Sequence, residues 1–303
     1  GMYHDYFTAV DVPVMKDEPY CYCPEQFMLS VCYDLRSVSI PGVLTQDFNA
    51  GWTDVDRRFA ESGLLTQFKQ KYRDADALKA LVSGKETADE KIVAVWQYIL
   101  KQVKWNQEIQ LLPQDNKQTL KEGTGSSADM NALMASALNS AGLVAEPVLV
   151  KSRKSGALLD FHISSSEFPT FILRIQAPDG TVRYLDASRK DSFLDVLPPV
   201  YLVTRGRLLH LDGHGEWADL TAIPVTNALT QVVRLSLLPQ EGLAKGSAEI
   251  SASNQVAYAV KSHYRSFDTP EAWIEDTEND EGIEVIGMSL DEPDKLGNVA
   301  VGQ

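Results

Sequence analysis

The period of the apolar positions changes several times along this chain, and each change marks an element. Met130, Leu133, Met134, Ala137 and Leu138 recur at spacings of three and four, which puts an apolar stripe on one face of a helix. Ser126 or Ser127 is placed to cap that helix, Asp129 suits the positive end of its dipole, and Gly142 stops it. A short run rich in β-branched residues, Ala145 to Val150, follows as a buried strand. Thr87-Ala88-Asp89-Glu90 reads as a capping box ahead of a second stripe, Ile92, Trp96, Ile99, Leu100 and Val103, with Trp105-Asn106 closing it. Trp52 to Gly63 and Leu64 to Val82 read as two further helices.

Period two appears elsewhere. Phe27 to Ile40 alternates in places, as a half-buried strand does. Phe168 to Ile175, a turn at Pro178-Asp179-Gly180, and Thr181 to Leu185 predict an antiparallel hairpin. Tyr201 to Val203 and Leu208 to Leu211 continue the β pattern. Beyond Asn227, strands are expected at Val232 to Leu238 and Ala248 to Ser251. Gln255 to Tyr264 is amphipathic, and Thr269-Pro270-Glu271 opens a short helix.

Composition narrows the function classes. At 303 residues, 44% hydrophobic and 23% charged, the chain has enough apolar surface for a large folded core. A net charge of −14 without a basic run excludes nucleic acid and anionic membrane surfaces as expected partners. No apolar run reaches the roughly 18 residues of a membrane span, and Met2 is followed by a polar, mixed-charge segment rather than the apolar core of a signal peptide. Cys21, Cys23 and Cys32 lack a fourth ligand at a zinc spacing, so they read as thiols. His210 and His214 stand four apart around Asp212, but Gly213 and Gly215 make the segment a turn. The acidic run from Glu275 to Glu292 reads as a solvated face. No metal and no cofactor are expected.

The stretch from Gly123 to Val150, GTGSSADMNALMASALNSAGLVAEPVLV, resembles the signature of the transglutaminase-like superfamily, a branch of the papain-like fold. More weakly, the resemblance extends from about Val12 to about Pro224. It implies an α+β fold: a central helix packed on an antiparallel sheet, with a nucleophilic Cys at the helix start, a His on a following strand and an Asp on the next. It also implies a bacterial subgroup of multidomain, exported proteins, periplasmic or extracellular, in which a β-rich domain precedes this one. The chain is accordingly divided into an extended β segment (1–45), a transglutaminase-like domain (46–225) and a smaller β-rich C-terminal module, cut short (226–303).

Carried over by position, the Cys falls on Ser127, the His on Thr170 and the Asp on Asp186. Two of the three residue types are missing. A thiol at a helix N-terminus beside a His ionises in the physiological range, whereas a serine hydroxyl must be deprotonated as it attacks. Thr170 cannot take that proton, and Asp186 has no imidazole to orient. The expected function is therefore a catalytically degenerate domain that binds a peptide, protein or glycan, or serves as a scaffold. The alternative is acyl transfer or amide hydrolysis with Ser127 as nucleophile and His162, eight residues before Thr170, recruited as base. Trp105, Arg153 and His162 are the candidate binding residues. In the resemblance an aromatic near Trp105 lines the cleft; read from the residues alone, Trp105 closes the core.

Overall fold

The computed structural model describes residues 6–16, 18–19, 21–31, 33, 35, 37–47, 51–159, 162–291 and 296–302. Cys32 lies outside them. The first regular pairing is a hairpin of β1 (Ser37–Ile40) and β2 (Leu44–Asp47), in the register Ser37↔Asp47. Among the described residues, the strand expected over Phe27 to Ile40 is confined to β1. Phe27, Met28, Leu29 and Val31 are all exposed, so these positions do not alternate into a core.

Helices α1 (Trp52–Glu61), α2 (Leu64–Lys69) and α3 (Ala75–Ser83) follow. One helix was expected over Leu64 to Val82, but the chain breaks between α2 and α3. There the Ser136 hydroxyl donates to Gln70 O at 2.8 Å and Tyr72 N–H donates to Ser140 Oγ at 2.9 Å. Tertiary partners thus take the backbone groups that a continuous helix would have used. α4 (Ala88–Leu100) starts on the expected capping box, with Glu90 N–H on Thr87 Oγ1 and Thr87 N–H on Glu90 Oε2. Trp105 then enters a two-residue strand, β3 (Lys104–Trp105). A short helix that the apolar period did not reveal, α5 (Asn116–Glu122), leads to β4 (Thr124–Gly125), which pairs in parallel with β3. α5 is set by its ends: Asp115 caps it, and Gly123 leaves it at φ 67°.

The centre of the molecule is α6 (Ser127–Ser140). The sequence pattern suggests a one-sided stripe, yet every residue from Ser127 to Leu138 is buried. Helices cover one side and the sheet covers the other, so its polar positions are kept by pairing: Ser136 with Gln70 O, and Asn139 Nδ2 with Phe68 O at 3.0 Å. β5 (Val144–Val150), β6 (Thr170–Gln176), β7 (Val182–Leu185), β8 (Gly206–Leu209) and β9 (Gly215–Ala218) form a sheet in the order β7-β6-β5-β8-β9, antiparallel throughout. The predicted hairpin is β6–β7, with Leu173↔Leu185 in register. Leu149, Phe171, Leu173 and Ile175 join the main core with α6, while Val148, Val150 and Ile172 join a second cluster with Leu197, Tyr201 and Leu208. Both faces of the sheet are therefore covered. This is the α+β arrangement of a helix against an antiparallel sheet.

α1 is pinned to this sheet by a buried ion pair. Arg207 on β8 donates through Nε to Asp56 Oδ1 at 2.9 Å and through Nη2 to Asp56 Oδ2 at 2.5 Å. Gly215 carries no Cβ because one there would overlap the Asp56 carboxylate.

β10 (Leu229–Leu238) and β11 (Leu243–Ala252) make a long hairpin, followed by α7 (Asn254–Tyr264), α8 (Pro270–Glu281), β12 (Ser289–Leu290) and β13 (Val299–Gly302). The strand order is β10-β11-β13-β12. Two helices of 11 and 12 residues accompany these four strands. It touches the preceding fold through Arg265 Nε on Asp191 Oδ1 at 2.6 Å and Gln255 Nε2 on Leu197 O at 3.1 Å.

Candidate functional site

The start of α6 is built by a reciprocal cap. Ser126 Oγ accepts from Asp129 N–H at 3.3 Å, and Asp129 Oδ2 accepts from Ser126 N–H at 2.8 Å. That cap fixes the next residue, Ser127, at the first helical position. Gly125 is needed just before it, since a Cβ there would run into the Asp129 side chain. β6 begins at Thr170, paired with Val150, and brings the Thr170 hydroxyl to 3.0 Å from Ser127 Oγ. Asp186 follows the last residue of β7. All three side chains are buried, with exposures of 4% for Ser127, 1% for Thr170 and 2% for Asp186.

Ser127 is enclosed by the segment between β3 and α5. Its Oγ accepts from Gln110 N–H at 3.1 Å and donates to Gln110 O at 3.3 Å. Its own N–H, the donor a helix N-terminus offers to a developing oxyanion, is taken by Glu108 O at 2.9 Å. Trp105 Nε1 donates to that same carbonyl at 3.0 Å, so the indole fastens the segment in place. Trp105 is half-buried against the core, and the Arg189 guanidinium stacks over its ring at 3.9 Å.

Asp186 is held through one oxygen. Asn131 Nδ2, Ser188 N–H and Ser188 Oγ–H reach Oδ1 at 3.2, 3.1 and 2.6 Å. Asn131, one turn along α6 from Ser127, also donates to Phe171 O at 3.1 Å and accepts from Ala187 N–H at 2.8 Å. Burial pushes the Asp186 carboxyl above the ordinary carboxylate range, against the opposing pull of Ser188, Arg189 and Asn131. Tyr201 and Tyr258 lie close to Asp186 and Arg189, and burial pushes both phenols up to about 12. Neither can act as a base near neutral pH.

No imidazole hydrogen-bonds to Ser127, Thr170 or Asp186 among the described residues. His162, read from the sequence as a substitute base, is engaged elsewhere: its Nε2 pairs with Glu167 Oε1 at 3.3 Å, and Glu167 also binds Lys151. Arg153 stacks over Tyr22 at 4.3 Å on the rim of a different cavity. The structure thus gathers Ser127, Thr170 and Trp105 around one segment and leaves Arg153 and His162 outside it. His210 sits in the expected turn, with Nδ1 3.1 Å from Glu146 Oε1 and its ring stacked on His214. No cluster of three or more His, Cys, Asp or Glu suited to a metal occurs among the described residues. Gln110 and Arg189 were not singled out by the sequence, which carries no local sign of what they touch. Asn131 was legible in principle, since it lies four residues after Ser127 on the same helix face.

The raised carboxyl has a consequence for stability. A group whose folded pKa exceeds its unfolded value favours folding below the unfolded value, about 4 for Asp, and loses that contribution as pH rises through the folded value. Asn at position 186 keeps an Oδ1 for all three donors and removes the buried charge. Asp186→Asn is expected to melt at a higher temperature than the parent at pH 7, with the gap closing as pH falls towards about 4. A parent that is the more stable at pH 7 would show that the ionised carboxylate is needed for the fold.

Residues 75–165 match the transglutaminase-like superfamily. The match takes in Ser127 and ends before Thr170 and Asp186. A candidate protease from Parabacteroides distasonis ATCC 8503, with a crystal structure at 2.00 Å, aligns at 18% identity and a TM-score of 0.39 over 53% of this chain. The aligned part is 31% of that longer protein. No curated protein matches.

Proposed function

This chain carries a transglutaminase-like domain, and we propose that the domain is catalytically degenerate and works as a binding or scaffolding module. The observation that carries the reading is the 3.0 Å contact between Ser127 Oγ and Thr170 Oγ1. Acyl transfer through a serine needs a neighbouring base to remove the hydroxyl proton. A second hydroxyl does not supply one, and the buried, upshifted Asp186 is fastened to Asn131 and Ser188 instead. The enclosure of Ser127 by Gln110, and the commitment of its N–H to Glu108 O, leave neither an open face nor a ready oxyanion donor.

On this reading Ser127, Thr170 and Asp186 are the vacated triad positions, and the partner is a peptide, protein or glycan. Residues 46–225 are the degenerate domain, and 226–303 are a separate module. Placement in an exported, multidomain bacterial protein follows from the family resemblance alone. The runner-up, a Ser127 nucleophile, makes the opposite prediction for a single reagent. An activated electrophile that captures serine nucleophiles is expected to leave Ser127 unmodified.

A further inference from the structure

A cavity walled by three cationic side chains lies away from Ser127. It has a volume of about 420 Å³ and opens between the segment around the Pro24–Phe27 turn, the loop after β5 and the residues just before β8. That size is within the usual range for small-molecule sites. Its cations are Lys151, Arg153 and Arg205, and among the described residues that line it there is no Asp or Glu. In a chain of net charge −14 such a wall is a departure from the average surface. Leu158, Leu202 and Val203 supply an apolar floor.

The three cations are not equivalent. Lys151 is paired with Glu167, and Arg205 stacks on Trp217 at 4.3 Å. Arg153 is exposed, lies over the Tyr22 ring at 4.3 Å and has no ion pair among the described residues. A guanidinium over an aromatic ring still has an N–H fork to offer a carboxylate. The Cys21 thiol lines the same cavity, partly exposed.

We propose that this cavity binds a carboxylate carried on a compact apolar body, such as the C-terminal residue of a peptide, with Arg153 as the main anchor and Leu158, Leu202 and Val203 receiving the apolar part. The proposal rests on the reading of the domain as a binding module and places that binding outside the vacated triad.

Cys21 reports on occupancy. The chain is alkylated with iodoacetamide, and modification of Cys21 is followed by peptide mass mapping with and without N-acetyl-L-leucine. The neutral analogue N-acetyl-L-leucinamide is the control. Saturable slowing at Cys21 by the carboxylate, with little effect of the amide, is the expected result. Arg153→Ala is expected to weaken that protection about tenfold or more, the scale of one charge-assisted hydrogen bond. Arg153→Lys, which keeps the charge, should retain part of it. No protection, equal protection by the amide, or full protection in Arg153→Ala would overturn the proposal. Protection together with a Ser127 that reacts as a nucleophile would leave the cavity standing and remove the non-catalytic reading.

Discussion

A Ser127→Cys/Thr170→His double variant is expected to hold a thiolate that neither single variant holds. The two hydroxyls are 3.0 Å apart, so a thiol and an imidazole at these positions lie within hydrogen-bond reach. The thiol sits at the N-terminus of α6, where the helix dipole adds to the effect of an imidazolium. Together these lower a thiol from about 8.5 into roughly the 3.5–7.5 range. At pH 6 the thiolate fraction then rises over Ser127→Cys alone by about tenfold for each unit by which the imidazole lowers the thiol beyond what the helix dipole does. The pH dependence of thiolate ultraviolet absorbance, compared between single and double variants, reads this without requiring access to the buried group. Circular dichroism confirms that each variant folds. A double variant that titrates like the single would show that Thr170 does not occupy the position of the lost base.

The second large effect is on stability. Asp56→Ala leaves Arg207 as an unpaired charge in the core, and the expected cost is about 3–5 kcal/mol. Both partners are nearly closed to solvent, at 7% and 4% side-chain exposure, and the contact is bidentate. Arg207 would keep only the Gly215 carbonyl at 3.1 Å and the Trp217 ring at 4.8 Å. Removing both charges together, as in Asp56→Leu/Arg207→Met, should restore most of the loss, because burying two charges costs desolvation that an apolar pair avoids. Urea unfolding measures both. An Asp56→Ala variant within about 1 kcal/mol of the parent, the scale of an exposed pair, would show that α1 is held to the sheet by apolar packing alone.

Much of the fold was legible because local and tertiary signals agreed. The capping box at Thr87 and the stripe of α4 predicted a helix that starts as read but ends at Leu100, before Val103 and Trp105, and the alternation on either side of Pro178-Asp179-Gly180 gave the β6–β7 hairpin. The start of α6 was legible for the same reason, since Ser126, Asp129 and Gly125 act within one turn. Elements whose cause lies far along the chain were not. The break after α2 depends on Ser136 and Ser140, more than sixty residues away. α5 has little apolar period, and its ends are defined by Asp115 and Gly123. Of the site, the triad positions came from the family resemblance alone. The enclosing Gln110, the Trp105–Glu108 link and the pairing of His162 with Glu167 needed coordinates. His162 shows the limit well, because proximity in sequence to Thr170 said nothing about which carboxylate it would find.

The central claim is that Ser127 is not a nucleophile. Incubation of the folded chain with a fluorophosphonate, followed by intact mass and peptide mapping, asks this directly. No adduct on Ser127 is expected, with the parent and Ser127→Ala indistinguishable. Stoichiometric modification that maps to Ser127 and disappears in Ser127→Ala would contradict the account and make this domain an enzyme with a base it does not display.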